Sequence, residues 1–307
     1  MMKWLPWLRG GREKASAQGQ MSPTKNPFLW VEGRRVHADL PYMLPSDPHE
    51  INRLDFQHYL IRQVMQCLFV APIRQPEGIL DVGSGTGRWA QEVATLFPRA
   101  KVFGLDILLE SDLPTMTQPA NYRFVRGNVL EELPFPAVTF DYVHQRFLHA
   151  AIPYDRWSHV VGELVRVTRP GGWVELTESD LVIHNPGPAM RQLAQWGADT
   201  GRKRGIDPRI CQQIGLLLQQ AGLVNLQTYR VDVPLGNWGG RVGSMAASDI
   251  LAFNRGFRSV VIKELGISGQ LFDRLTAAMQ QEWEQNHCYF SFYIACGQRP
   301  GLSGGLR

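Results

Sequence analysis

Three glycines at alternate positions, Gly83, Gly85 and Gly87, mark the chemically most informative stretch of the sequence, ILDVGSGTG. The apolar residues before them predict a buried strand and the residues after them a helix, so the glycines fall in a strand-to-helix turn. Because glycine lacks a Cβ, its backbone approaches a ligand closely and adopts conformations that other residues avoid. The stretch therefore predicts a loop that contacts a ligand through its backbone.

Two aspartates indicate what such a loop would bind. Asp81 lies two positions before Gly83, and Asp106 ends the next predicted strand. The two carboxylate oxygens of Asp106 can accept hydrogen bonds from both hydroxyls of a ribose. The carboxylate of Asp81 would repel a pyrophosphate but attract a cationic amine, and the G-x-G-x-G spacing differs from the G-x-G-x-x-G of dinucleotide sites. The pattern therefore argues against a nicotinamide cofactor.

Gln145 and His149 supply a second pattern, because they lie four positions apart just after the fourth predicted strand. On a helix they would share one face, at the carboxyl edge of the sheet where open α/β sheets bind ligands. An imidazole suits proton abstraction near neutral pH, so His149 is the candidate general base. The alternative is a histidine that packs or hydrogen-bonds without a catalytic role.

The elements that position these residues alternate between strand and helix. Five strands are predicted at residues 78–83, 101–107, 122–127, 140–145 and 172–178, with a helical period between them that is clearest over 154–167. This alternation builds a mainly parallel sheet with helices on both faces. With later stretches at 223–233 and 288–296, it predicts an α/β fold with a doubly wound, Rossmann-like, seven-stranded and mostly parallel sheet.

The rest of the chain predicts additions to this sheet domain. Residues 1–27 indicate a flexible N-terminal arm, residues 28–75 a helical cap whose main helix runs over 47–71, and residues 301–307 a tail. The sheet domain itself, with the ligand site, would then span residues 76–300. Helical insertions at about 186–222 and 244–287 are candidates for a lid, with aromatic residues that could line a pocket: Trp196, Phe253, Phe257, Phe272 and Trp283.

Composition excludes several classes of function. The net charge is +4, but residues 1–35 carry +5, so the remainder is close to neutral and a nucleic-acid substrate is not expected. Apolar runs are far shorter than the roughly 20 residues of a membrane span. The four scattered cysteines predict free thiols in a cytoplasmic protein, and no His, Cys or Asp spacing predicts a metal site.

The sequence resembles the class I S-adenosylmethionine-dependent methyltransferases in four segments that follow one another along the chain: DVGSGTG, FGLDI, Gly127-Asn128-Val129 and PGGW. Residues 42–60 and 140–178 are similar to the fungal secondary-metabolism regulator type and its bacterial small-molecule relatives. The resemblance implies that S-adenosylmethionine is the cofactor and S-adenosylhomocysteine the product. It implies that the following residues line the cofactor site: Tyr42, Arg53, Asp81, Gly83, Ser84, Gly85, Asp106, Ile107, Asn128, Val129 and Gln145.

Within that set the resemblance implies individual roles. Asp81 and the loop would hold the methionine end, Asp106 the ribose, Ile107 one face of the adenine and Asn128 its amino group. Gln145 would contact the methionine end. Tyr42 and Arg53 would either close over the cofactor or anchor the N-terminal helix.

The expected function is methylation of a hydrophobic small-molecule specialised metabolite at oxygen, nitrogen or carbon, with the Trp-bearing N-terminal arm available for homo-oligomer contacts. The alternative is an S-adenosylmethionine-binding regulator that acts through protein contacts. A nucleic-acid amino-methyltransferase is disfavoured, because the Pro-Pro-aromatic segment such enzymes carry after the fourth strand is replaced here by HQRF at 144–147.

Overall fold

A computed structural model describes residues 28–31, 33–37, 42–108, 117–180 and 182–301. Nine strands and seven α-helices lie in these ranges. The strands are β1 (Phe28–Val31), β2 (Arg34–His37), β3 (Gly78–Val82), β4 (Lys101–Asp106), β5 (Tyr122–Arg126), β6 (Phe140–Arg146), β7 (Thr168–Ser179), β8 (Val224–Pro234) and β9 (Tyr289–Gln298). The helices are α1 (Pro48–Met65), α2 (Arg88–Leu96), α3 (Trp157–Val167), α4 (Pro188–Arg202), α5 (Ile214–Gln220), α6 (Gly240–Leu265) and α7 (Gly269–Gln285).

Seven strands form one sheet in the order β5-β4-β3-β6-β7-β9-β8. The strands from β3 to β7 pair in parallel, and β9 runs antiparallel to both of its neighbours. The order reverses at β3, which has β4 on one side and β6 on the other, so a crevice opens at the carboxyl ends of these strands. The predicted doubly wound sheet is confirmed, and its switch point lies beside the glycine loop.

The sheet is covered on both faces, which explains why β3 is buried along its whole length. One apolar cluster joins the sheet to α3 and α5 through residues such as Trp157, Leu164 and Leu218. A second joins it to α2 through Trp89 and Val93. A strand buried on both faces reads as a continuous apolar run, and GILDV departs from that pattern only at Asp81.

The N-terminal cap is partly helical. Asp47 caps α1, since its side chain accepts hydrogen bonds from the backbone of His49 and Glu50, and Pro48 occupies the first turn as predicted. The predicted extension of the helix to residue 71 is wrong, because Gln66 adopts a left-handed conformation with φ 56° and ends the helix. Strands β1 and β2 also differ from the predicted helical cap: they pair antiparallel, and Gly33, directly before β2, has a φ of 76°.

The late helices form a lid that differs in detail from the predicted insertions. Helices α4, α6 and α7 pack on one another and share an apolar core that includes Phe257, Phe272 and Trp283. The predicted helix at 186–222 is interrupted after Arg202, and α5 packs on β8 and β9 as part of the sheet layers instead of the lid. Within the described ranges, no helix combines the length and apolar character needed to cross a membrane.

Candidate functional site

A cavity opens at the carboxyl edge of the sheet, between the switch point, α1 and the lid helix α6. It brings together residues that are distant in the sequence. Of the residues predicted for the site, those lining the cavity are Tyr42, Arg53, Asp81, Gly83, Ser84, Gly85, Asp106, Ile107, Asn128, Val129 and His149.

The three loop glycines all have a positive φ, between 53° and 78°, but their surroundings differ. A Cβ added to Gly83 would lie 2.6 Å from the Leu148 side chain, and one added to Gly87 would lie 2.5 Å from the Tyr122 hydroxyl. A Cβ at Gly85 would meet Leu54 at an ordinary 3.6 Å. Gly85 is therefore the glycine whose missing side chain keeps the cavity open, whereas Gly83 and Gly87 allow close packing.

Asp106 joins the loop to the end of β4. One carboxylate oxygen accepts from the backbone N–H of Gly85 at 2.8 Å and the other accepts from that of Leu108 at 3.0 Å. Burial raises the pKa of Asp106, and these backbone donors oppose the increase. Each oxygen retains a second lone pair toward the cavity, so the geometry permits the predicted pair of ribose hydrogen bonds.

Asp81 pairs with a histidine that the sequence pattern did not assign to the site. The Nδ1 of His144 lies 2.8 Å from the Asp81 carboxylate, and its ring stacks on Trp89 with centroids 3.7 Å apart. His144 and Arg146 both line the cavity because alternate residues of β6 face the same side. Strand alternation was the signal that could have found them.

Asn128 lines the cavity, but its side chain already has partners. Its amide donates to Glu131 at 3.1 Å, and its carbonyl oxygen accepts from the Leu130 backbone at 3.1 Å. The second lone pair of that oxygen remains for an adenine amino group. Ile107 and Val129 also line the cavity and add apolar surface to it.

Tyr42 and Arg53 belong to a buried polar cluster that connects α1 with the lid. Arg53 hydrogen-bonds Glu50 through both Nε and Nη2 and reaches Asp249 of α6 at 3.0 Å. Burial, and then the carboxylate of Glu50, raise the pKa of Tyr42. Because the guanidinium is engaged by two protein carboxylates, the contacts support the anchoring alternative for Arg53.

The predicted placement of Gln145 is wrong. The strand β6 continues through Arg146, so Gln145 pairs with Val82 and Leu176 inside the sheet and lies on the opposite face from His144. The helix expected from Gln145 to His149 is also wrong, because β6 runs to Arg146 and Phe147 then adopts a left-handed φ of 57°. Gln145 is fully buried and contacts Glu178 at 3.4 Å.

His149 lines the cavity just after Phe147 and is oriented by Glu178, a residue that no pattern in the sequence singles out. The Glu178 carboxylate accepts from the backbone N–H groups of Leu148 and His149, at 3.1 and 3.0 Å. It also lies 3.2 Å from the imidazole Nδ1 of His149. Both oxygens of Glu178 accept backbone hydrogen bonds, so the carboxylate acts as an acceptor toward the imidazole; with the proton of a neutral imidazole on Nδ1, the lone pair lies on Nε2. That Nε2 is buried and lacks a hydrogen-bond partner among the described residues.

Cys211 completes a cluster with these two side chains. One potential metal-ligating atom from each of His149, Glu178 and Cys211 lies within 4.8 Å of the others. Spacing in the sequence gave no sign of this cluster, because its members come from three separate elements. The thiol donates to the Ser179 carbonyl oxygen, and burial raises the pKa of Cys211 well above its ordinary value. We therefore interpret the thiol as a structural contact to β7, whereas Glu178 is the hydrogen-bonding partner of His149.

The residues of the cavity fit the expected cofactor. The loop offers open space beside Gly85, and Asp106 offers acceptors for a ribose. The Ser84 hydroxyl lines the cavity, and it is buried without a hydrogen-bond partner in the part of the chain that is described. A buried polar atom of this kind needs a partner that a bound ligand can supply.

Comparison with known proteins identifies the family of the chain. A family model described as "Methyltransferase domain" matches residues 79–172. The chain is similar to Methyltransferase str3 of Strobilurus tenacellus, with 31% identity over 64% of this chain and 72% of that protein. It is similar to Methyltransferase pytC of Aspergillus terreus, with 27% identity over 91% of this chain and 90% of that protein. It is similar to Secondary metabolism regulator laeA of Aspergillus flavus, with 30% identity over 76% of this chain and 64% of that protein. The chain belongs to the class I S-adenosylmethionine-dependent methyltransferases and is an enzyme of that class.

Proposed function

We propose that the enzyme methylates a hydrophobic small-molecule specialised metabolite, at an oxygen or nitrogen whose proton is taken by His149. The observation that supports this most directly is the buried, unpartnered Nε2 of His149 beside an apolar cavity. Such a nitrogen accepts a proton from a bound acceptor and supports catalysis at that point.

The acceptor region of the cavity is apolar. Phe147 and Phe292 lie with ring centroids 5.2 Å apart, and Phe290 packs edge-on against Phe292 at 5.3 Å. Of the aromatic residues expected from the lid, Phe253 lines the cavity, whereas Phe257, Phe272 and Trp283 are buried in the core of the lid and Trp196 packs against it. Apolar side chains come from the N-terminal cap, the edge of the sheet and the lid: Leu44, Phe147, Ile250, Phe253, Phe290 and Phe292. A pocket of this composition supports a hydrophobic acceptor.

The protein residues would divide the work between binding and proton removal. S-adenosylmethionine, when bound, supplies an electrophilic methyl group on a sulfonium. Asp106, Gly85 and Asp81 would hold the cofactor, and the pocket would hold the acceptor in line, which is the main source of acceleration in such a displacement. His149 would remove the acceptor proton, and Glu178 would stabilise the resulting imidazolium.

The alternative is an S-adenosylmethionine-binding regulator, and similarity to a protein named as a secondary metabolism regulator motivates it. A regulator of this kind does not need an acceptor pocket or an oriented imidazole. The apolar cavity and the His149–Glu178 pair therefore support the enzyme that turns over a small molecule.

A turnover assay tests the proposal. The full chain is incubated with S-adenosylmethionine and a panel of phenolic, amine and terpenoid acceptors, and S-adenosylhomocysteine is quantified by mass spectrometry. We expect acceptor-dependent product, and a rate about 10²- to 10⁴-fold lower in His149→Ala with unchanged cofactor affinity. A His149→Ala rate within about threefold of wild type, which is under 1 kcal/mol of barrier, would contradict the base assignment. Carbon methylation without a base would give that result.

We further propose a cytoplasmic location and a small-molecule, non-nucleic-acid acceptor. The four cysteines are all within the described ranges and all are free thiols, which supports a reducing compartment. The arm at residues 1–27, for which homo-oligomer contacts were predicted, lies outside the described residues. Light scattering on the full chain and on a chain lacking the arm tests that prediction.

A further inference from the structure

Arg146 differs from the other arginines of the cavity in its ionic partners. Arg53 pairs with Glu50 and Asp249, and Arg88 pairs with Asp55 at 2.8 Å. Within the described ranges, no carboxylate lies within ion-pair distance of Arg146. Its guanidinium is half-buried and faces the cavity at the end of β6. The cavity therefore contains a positive charge for which the described protein supplies no direct counterion.

The contact of Arg146 with His58 adds no negative charge beside the guanidinium. The Nη2 of Arg146 lies 3.2 Å from the Nδ1 of His58, and the Nε2 of His58 lies 2.9 Å from Glu92. A guanidinium only donates, so Nδ1 must accept and the imidazole proton must lie on Nε2, where it is donated to Glu92. Burial, and then the charge of Arg146, lower the pKa of His58, which favours the neutral ring. His58 thus orients Arg146 without contributing a charge of either sign to the cavity.

The position of Arg146 along the cavity indicates the ligand group that it meets. In the sheet order, Asn128 follows β5, Asp106 ends β4, the glycine loop follows β3, and Arg146 ends β6. A nucleoside held at Asp106 therefore has its other end toward Asp81 and Arg146. These two residues present opposite charges, and the amino-acid end of the cofactor is a zwitterion with an ammonium and a carboxylate.

We propose that Arg146, oriented by His58, is the binding site for the α-carboxylate of the methionine portion of the cofactor, while Asp81 faces the ammonium. The inference rests on the cofactor orientation proposed above. A guanidinium forms a bidentate pair with a carboxylate, and hydrogen bonds between charged groups are stronger than neutral ones. Arg146 is thereby a cofactor-binding residue that carries no role in proton removal.

Calorimetry with three ligands that differ in their charged groups tests the proposal. S-adenosylhomocysteine has both charged groups, its decarboxylated analogue has only the amine, and methylthioadenosine has neither. We expect Arg146→Met to lower the affinity for S-adenosylhomocysteine by about 10- to 100-fold. Affinity for the other two ligands should change less than about threefold. Arg146→Lys, which keeps a positive charge but loses the planar fork, should be intermediate.

Arg88→Met is the matched control, because Arg88 lines the same cavity but is paired with Asp55. It should keep the wild-type preference for S-adenosylhomocysteine over the decarboxylated analogue. Equal weakening of all three ligands by both Arg146 variants, or unchanged binding of S-adenosylhomocysteine, would overturn the carboxylate assignment. Failure of the wild-type protein to bind either S-adenosylhomocysteine or methylthioadenosine would overturn the cofactor cavity itself, and the assignment with it.

Discussion

Replacing Arg53 with methionine tests whether this residue anchors the lid. The Arg53 and Glu50 side chains are 4% and 5% exposed, and that of Asp249 is 6% exposed. Breaking a buried ion pair costs about 3 to 5 kcal/mol, because the remaining charge is left in a medium that solvates it poorly. Asp249 keeps a hydrogen bond from Gln57 at 3.1 Å. We therefore expect the cost of one unpaired buried carboxylate, that of Glu50, and not of two. The expected decrease in the free energy of unfolding is therefore about 3 to 5 kcal/mol at pH 8.

The stability deficit of Arg53→Met should depend on pH, whereas a deficit caused only by lost packing would not. Burial raises the pKa of Glu50 and that of Asp249, and the charge of Arg53 opposes both increases. Without Arg53 both folded-state pKa values rise further above their unfolded values. Carboxyls with raised pKa values favour folding when protonated and disfavour it as pH rises through the folded pKa. The deficit of Arg53→Met should therefore be smaller at pH 5 than at pH 8.

Urea denaturation followed by circular dichroism, at both pH values, measures the deficit. Arg230→Met is the control, because Arg230 and Asp232 are 46% and 53% exposed and such a pair contributes less than about 1 kcal/mol. A deficit for Arg53→Met below about 1 kcal/mol at pH 8, or one that is the same at both pH values, would refute the anchoring role.

Three further predictions concern the loop, the ribose acid and the histidine beside Arg146. Gly83→Ala should lower the free energy of unfolding by about 2 to 4 kcal/mol, against about 1 kcal/mol for Gly85→Ala, since a Cβ clashes with Leu148 only at Gly83; equal costs in urea denaturation would contradict this. Asp106→Ala should make the binding free energy of S-adenosylhomocysteine less favourable by about 1 to 3 kcal/mol, and an unchanged affinity in calorimetry would contradict the ribose assignment. Burial, and then the charge of Arg146, lower the pKa of His58 in the folded state, so below a pH of about 6.5 the unfolded state binds more protons than the folded state. The free energy of unfolding lost between pH 7 and pH 5 should therefore be smaller in His58→Gln than in the wild type. An equal loss in the two proteins would count against a neutral His58.

The sheet and the loop could be predicted from the sequence because their patterns are local. Apolar runs punctuated by glycine define β3, and its alternation with helices defines the crossovers. Asp106 was found because it stands where the second strand ends. Gly83, Gly85 and Asp81 were found in the same way, each from its place relative to a strand.

The acceptor side could not be predicted in the same way, because tertiary pairing decides it. The four-residue spacing predicts a helical position for Gln145, whereas pairing of β6 with two neighbours extends the strand to Arg146 and turns Gln145 to the other face of the sheet. Glu178 becomes the partner of His149 only because β6 and β7 lie side by side. Asp249 meets Arg53 across almost two hundred residues of chain, and no local spacing encodes that contact.

Calorimetric titration of S-adenosylhomocysteine into the wild-type protein and into Gly85→Val tests the central claim most directly. Gly85 contacts the cavity where a side chain would fill it, while its neighbours leave room for the fold to survive the change. We predict saturable one-to-one binding by the wild-type protein and none by the variant, with circular dichroism showing that the variant is folded. A folded Gly85→Val protein that binds S-adenosylhomocysteine as the wild type does would contradict the assignment of this cavity as the cofactor site.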